Sequence, residues 1–448
     1  MSGALRHSLC EGVFASINDF RYDIHRVVLA ADDSLRDAGG ELRLQSLGRA
    51  VLGGKTHFGN DLAQLLDGKH RFFETTFVLQ QPTYSSIYPV GPALVLAIGQ
   101  MVFGQPWAGV LLSMGVLCAL IYWMLRGWTT PGWALAGGLL AVCEFGPLAS
   151  WMNLYWGGAV SGIAGCLVFG ALPRIRDRLF DRDAIVLGAG LGLQMLSRPF
   201  ESLFLDVAVL LFFLPELRRR ELRRKLMSSA ALALVAFAPA VAILLAHNKA
   251  VTGSWTTLPY ALSRYQYGVP TTFTFQPNPV PHRPLTPVQE LYYEGQAAVH
   301  GGTDTPSAYF SRFASRAGFY RFFFLAPLCL TLPFFLLRLA SFRTAWIALV
   351  ILIFALGTNF YPYFFPHYIA AATCLFVLMW VMGLERLTRW TIRGRAAGLV
   401  AAQWIVVLSG AHFLFWYGVH ASGRFDLVRY ETADFINFGD PEGRVAIN

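Results

Sequence analysis

Residues 107–125 read WAGVLLSMGVLCALIYWML, nineteen consecutive positions without one charged side chain. Wound as an α-helix, such a run covers roughly 28 Å, close to the thickness of bilayer hydrocarbon. Further apolar runs occupy 131–149, 154–172, 184–197, 202–214, 226–246, 319–337, 344–358, 367–383 and 396–416. The sequence therefore predicts an all-α polytopic membrane protein of about ten transmembrane helices, several of them short enough to be broken or paired half-helices. The run 89–104 is interrupted by Gly91, Pro92 and Gly99 and closes in Gly104, which suits an interfacial or re-entrant helix.

Composition agrees with this class. Of 448 residues, 55% are hydrophobic and only 14% charged, where soluble domains carry roughly a quarter charged residues. A soluble enzyme, a disordered chain and a small disulfide scaffold are excluded. The cysteines Cys10, Cys118, Cys143, Cys166, Cys329 and Cys374 form no CxxC pair and read as small core residues. No metal site and no cofactor are expected, and no Walker A loop, GxGxxG, HExxH or GxSxG is present.

The net charge of +9 resolves into clusters. Arg174, Arg176, Arg178 and Arg182 follow the third run, and Arg218, Arg219, Arg220, Arg223, Arg224 and Lys225 follow the fifth. Arg338 and Arg343 follow the seventh, and Arg386, Arg389, Arg393 and Arg395 the ninth. Simple alternation puts all four clusters on one side, which the positive-inside rule makes cytoplasmic. They act as topology anchors, and no nucleic-acid partner is implied. Residues 1–105, 198–201, 247–318, 359–366 and 417–448 then fall outside. The expected organisation is a polar N-terminal segment 1–75, a transmembrane domain 76–430 that includes the outer loop 247–318, and a tail 431–448.

The outer segments hold the unusual polar residues. Glu74, Gln81 and Tyr84 lie in a Pro-rich aromatic stretch that ends in Tyr88-Pro89, suited either to an interfacial anchor or to gripping a lipid-linked substrate. The run Trp151 to Gly158 combines belt aromatics with a small-residue face at Gly158 and Gly162, and Asn153 is its one candidate ligand contact. Arg198 stands three residues before Glu201, either as a local pair stabilising a helix break or as a guanidinium fork for a carrier phosphate. Pro366-His367-Tyr368 opens the ninth run, where His367 either hydrogen-bonds locally or helps hold an anionic head group. Glu144 and Asp206 are the visible mid-span acids, so a proton-coupled solute transporter has little support.

The order Gln81-Pro82-Thr83-Tyr84, Tyr88-Pro89, the run Leu94–Phe103 closing in Gly104, then Trp107 and Ser113, resembles the first outer loop and following helix of GT-C-fold glycosyltransferases. That superfamily includes the protein O-mannosyltransferases and the bacterial aminoarabinose transferases of lipid A. Ser197-Arg198-Pro199, Asn248 to Gly253 and His367-Tyr368 are similar to segments of an uncharacterised bacterial membrane branch, and the resemblance covers roughly 70–420. It implies a GT-C-like bundle in the bacterial inner membrane. Such a protein transfers a sugar from a polyprenyl-phosphate carrier to an envelope glycan, lipid or protein acceptor at the outer face, among membrane lipid. Glu74, Gln81, Tyr84, Arg198, His367 and Tyr368 would line its site.

The family's Asp-Glu pair after a first helix has no counterpart before Glu74. The nearest echo is Asn18-Asp19-Phe20-Arg21-Tyr22, where Asp19 would be the base that takes the acceptor proton. An N-terminally truncated or catalytically impaired member is one expectation. A lipid-linked glycan transporter or non-catalytic membrane protein of the same fold is the alternative.

Overall fold

A computed structural model describes residues 77–422 apart from 148, 154, 156, 179, 180, 219 and 303. Among these residues helices dominate, and the strands are limited to the two-residue β1 (Val78–Leu79) and β2 (Ser85–Ser86). The chain divides into two compact units. The smaller contains 77–88 and 245–304, and the larger contains 89–244 and 305–422.

In the smaller unit β1 and β2 pair antiparallel, Val78 with Ser86 and Leu79 with Ser85. Leu79 and Ile87 bury against Val251 and Tyr267, where Tyr267 ends α8 (Pro259–Tyr267). Polar ties fasten the hairpin: Thr83 Oγ1 donates to the Ala250 carbonyl at 3.3 Å, and Gln266 Nε2 to the Gln81 carbonyl at 3.0 Å. Helix α9 (Pro287–His300) starts with a reciprocal cap. Thr286 Oγ1 accepts from the Gln289 amide, and the Gln289 side chain accepts from the Thr286 amide, satisfying two donors the helix cannot satisfy internally.

The larger unit holds α1 (Val90–Phe103), α2 (Pro106–Leu125), α3 (Pro131–Phe145), α4 (Ala159–Arg178), α5 (Asp181–Ser197), α6 (Pro199–Leu217) and most of α7 (Arg220–Thr252). It continues with α10 (Pro306–Arg316), two short 3-10 turns, α11 (Leu332–Leu336), α12 (Phe342–Thr358), a 3-10 turn at Pro366–Ala372, α13 (Thr373–Thr388) and α14 (Ala397–Ala421). Prolines at the first turn of α2, α3 and α6 mark where new helices begin, because the missing N–H is not needed there. Between apolar helices, small residues allow close approach. A Cβ at Gly165 would fall on the Ala371 carbonyl, one at Gly188 on the Ala233 carbonyl, and one at Gly158 in the Trp151 ring. Aromatic side chains fill the rest: Trp128 stacks on Trp346 at 5.6 Å, and Trp151 lies 4.8 Å from Phe322.

Among the described residues, five helices are long and apolar enough to cross a membrane: Pro106–Leu125, Ala159–Asp177, Leu222–Thr252, Pro366–Thr388 and Ala397–Val419. A sixth span forms if Pro306–Phe323 and Ala326–Leu336, bent by 111°, count as one broken crossing. The protein is thus a helical, membrane-embedded type; the sequence predicts about ten transmembrane helices, several of them broken or paired half-helices, and full-length candidates among the described residues are fewer than ten. Length and charge account for the gap. Helices α3 and α12 have 15 and 17 residues, short of the roughly 20 a bilayer requires. Helix α6 has 19 but carries Glu201, Asp206 and Glu216. The 89–104 run is the 14-residue α1, whose Gly99 touches the backbone of Gly109 in α2.

Ion pairs define one end of this unit. Arg176 at the close of α4 lies 3.8 Å from Glu216 at the close of α6. Asp177 lies 4.0 Å from Arg343 at the start of α12. Glu385 near the close of α13 accepts from Arg338 at 3.0 Å and Arg389 at 2.7 Å. Arg174 is consumed by the Gly170 and Trp123 carbonyls and stacks 4.1 Å over the Trp123 ring. Since α6 and α12 reach this end with opposite polarity, the start of α6 and the close of α12 lie at the other end.

Candidate functional site

At that other end, the larger unit gathers a second set of charged and aromatic residues. Arg198 stands between α5 and α6 with non-helical backbone (φ −150°, ψ 85°), as expected for a residue preceding proline. Its Nη1 donates to Glu201 Oε1 at 3.1 Å. Glu201 is only 2% exposed and sits in the first turn of α6, where the helix dipole favours a carboxylate. The Arg198 guanidinium lies 4.9 Å over the Tyr368 ring. His367 meets Tyr368 edge-on at 4.8 Å and stacks on Phe365 at 5.4 Å.

A second arginine organises the neighbouring turn. Arg316, the last residue of α10 and 6% exposed, donates through Nη1 to the Thr358 carbonyl and Asn359 Oδ1, at 3.3 and 3.1 Å. Through Nη2 it reaches the Tyr361 and Pro362 carbonyls, at 2.6 and 2.9 Å. The Thr358 carbonyl closes α12, and Asn359, Tyr361 and Pro362 belong to the turn that follows it. Arg312 Nε adds a bond to the Asn359 carbonyl at 2.9 Å, and the Tyr309 hydroxyl one to the Leu356 carbonyl at 2.7 Å. Helix α10 is therefore strapped across the end of α12. In the same turn, burial pushes the Tyr363 phenol up to about 12, so at neutral pH it remains a neutral hydroxyl.

Of the sequence-derived site residues, Arg198, His367 and Tyr368 come together here. Gln81 and Tyr84 belong to the smaller unit, where Arg283 Nη2 donates to Gln81 Oε1 at 2.9 Å and Tyr84 is half-buried before β2. Glu74 and Asp19 lie outside the described residues, as does the side chain of Asn153. Both sequence readings of Arg198 therefore meet one geometry. The local pair with Glu201 exists, and the guanidinium side chain is still 23% exposed. Sequence reasoning missed Arg312, Arg316, Asn359 and Tyr361. The available signal was Tyr309, Arg312 and Arg316 at helical spacing on α10, but nothing in their spacing named the α12 turn as partner.

Chemically, the cluster offers one part-exposed cation over an aromatic face, flanked by a buried imidazole. It suits an anionic group bound at the end of the bundle. Glu144 and Asp206 are half-buried, Glu144 on α3 and Asp206 on α6 five residues after Glu201. Among the described residues no group of three or more His, Cys, Asp or Glu is placed to hold a metal ion. Set against known proteins, the chain matches no family model, no curated protein and no solved structure. What fold and site define is a class: a helical membrane protein with a basic end and, opposite it, a charged aromatic cluster.

Proposed function

We propose that the chain is an integral membrane glycosyltransferase of GT-C type, with a bundle approaching ten membrane-crossing or half-crossing helices. It would sit in the bacterial inner membrane and use a polyprenyl-phosphate-linked sugar at the outer face. The observation that carries this reading is the convergence of Arg198, His367 and Tyr368 at the end of the larger unit opposite its arginine-rich end. With the basic end cytoplasmic, the cluster faces the compartment in which a lipid-linked donor would present its phosphate.

In this reading Arg198 steadies the carrier phosphate through charge-assisted hydrogen bonds, while Tyr368 and His367 frame it. The acceptor hydroxyl attacks the anomeric carbon, the bond from that carbon to the phosphate oxygen breaks, and Asp19 takes the hydroxyl proton. The carrier leaves as polyprenyl phosphate, its charge offset by Arg198. The acceptor is an envelope glycan, lipid or protein.

The test is transfer of radiolabelled sugar from a polyprenyl-phosphate donor by membranes enriched in the protein, with Arg198→Ala and His367→Ala as comparisons. Product formation that falls at least tenfold in both variants supports the reading. Failure of the purified protein to bind such donors, together with no effect of either variant in cells, sinks it. The Arg198–Glu201 pair favours a second reading, a non-catalytic or transporting member in which Arg198 is structural. Movement of the intact carrier across vesicles without release of sugar would identify that case.

A further inference from the structure

The four arginine clusters are not equivalent. Three commit at least one arginine to an internal carboxylate: Arg176 to Glu216, Arg338 and Arg343 to Glu385 and Asp177, and Arg389 to Glu385. The cluster opening α7 does not. Arg218, Arg220, Arg223, Arg224 and Lys225 are all exposed and make no ion pair among the described residues. Arg220, Arg223, Arg224 and Met227 follow i, i+3, i+4, i+7 spacing, so they share a face of α7, and together they line one shallow, open hollow.

That face continues along the helix as Met227, Ala231, Leu234 and Ala238, every one exposed. Leu222–Thr252 is a candidate span, and only 17% of its apolar window is buried. A basic hollow therefore opens directly onto a bare apolar stripe in which two alanines leave room beside Leu234. Free phosphate would use the hollow alone. A phospholipid would use both, its head group on the guanidinium groups and an acyl chain along the stripe.

We propose that Arg220, Arg223 and Arg224 form a binding site for an anionic phospholipid of the leaflet at the basic end of the bundle, with one acyl chain lying along Met227, Ala231, Leu234 and Ala238. Guanidinium forks match phosphate oxygens in pairs, and each basic residue near a charged leaflet strengthens binding roughly fivefold. The site is independent of sugar transfer.

The experiment uses the full chain in detergent micelles, with retained lipid counted by native mass spectrometry after addition of phosphatidylglycerol or phosphatidylcholine. Preferential retention of phosphatidylglycerol is expected, falling roughly a hundredfold in R220Q/R223Q/R224Q. It should stay unchanged in R386Q/R393Q/R395Q, which removes equal charge from another cluster. Should the first triple variant fail to fold, A231W/A238W keeps every arginine and blocks the acyl path, and it too should lose the lipid. Equal retention of the two lipids, equal loss in both arginine variants, or complete displacement of lipid by excess inorganic phosphate overturns the proposal.

Discussion

The guanidinium of Arg198 lies 4.9 Å above the ring of Tyr368, two residues that 169 intervening positions separate in the chain. The contact joins the break between α5 and α6 to the start of the 366–388 span. It is tied down by the buried Glu201, so the three side chains should behave as a unit.

Arg198→Gln is expected to destabilise the protein by about 3–5 kcal/mol, because it leaves the Glu201 carboxylate buried without its partner. Adding Glu201→Gln should restore most of that loss, since the amide needs no counter-charge. A double-mutant cycle on thermal unfolding in detergent measures the coupling. A double variant no more stable than Arg198→Gln alone would show that the pair is not what holds this corner.

Arg316→Lys should not substitute for arginine. The guanidinium serves four acceptors across 358–362 in two directions, and a single ammonium cannot reach them all. Leaving even two carbonyls unpartnered costs about 2–6 kcal/mol. Limited proteolysis in the 359–365 turn should accelerate in the variant. An unchanged cleavage rate would remove the strap from the account.

Gly165→Ala should be far more damaging than Gly115→Ala. The first drives a methyl group onto the Ala371 carbonyl and must push α4 from the 366–388 span, whereas the second meets nothing within 4 Å. We expect a loss of about 1–3 kcal/mol for Gly165→Ala. For Gly115→Ala the expected change is none, or a gain of up to about 1 kcal/mol from helix propensity. Melting temperatures of the two variants side by side decide it.

Orientation can be read with reporters. An alkaline phosphatase fused after Trp255 should be active, and one fused after Arg218 inactive, because the candidate span Leu222–Thr252 lies between the two fusion points. The opposite pattern would invert the topology and place the Arg198 cluster in the cytoplasm.

Much of this was legible from residues alone, and the reasons are local. An uncharged nineteen-residue run at 107–125 has few stable forms other than a helix in lipid, because its backbone polar groups must be satisfied within the segment. Pro199 after Arg198 announces a break between helices through sterics confined to neighbouring residues. The Arg198–Glu201 pair was likewise within reach, three positions apart on one turn. Arg316 was not legible: three of its four acceptors are backbone carbonyls, which every residue carries and no sequence pattern distinguishes.

By itself, then, the sequence determined a helical membrane protein, where its apolar runs fall and which of its segments are basic, since hydrophobicity and charge are properties of residues and short windows. Tertiary structure alone decided where those runs break into separate helices, and that 245–304 packs with 77–88 as a compact unit. It also decided which arginines are consumed by internal acids or carbonyls and which, at the start of α7, remain exposed. Those outcomes depend on distances between residues far apart in the chain, and only the packed backbone sets them.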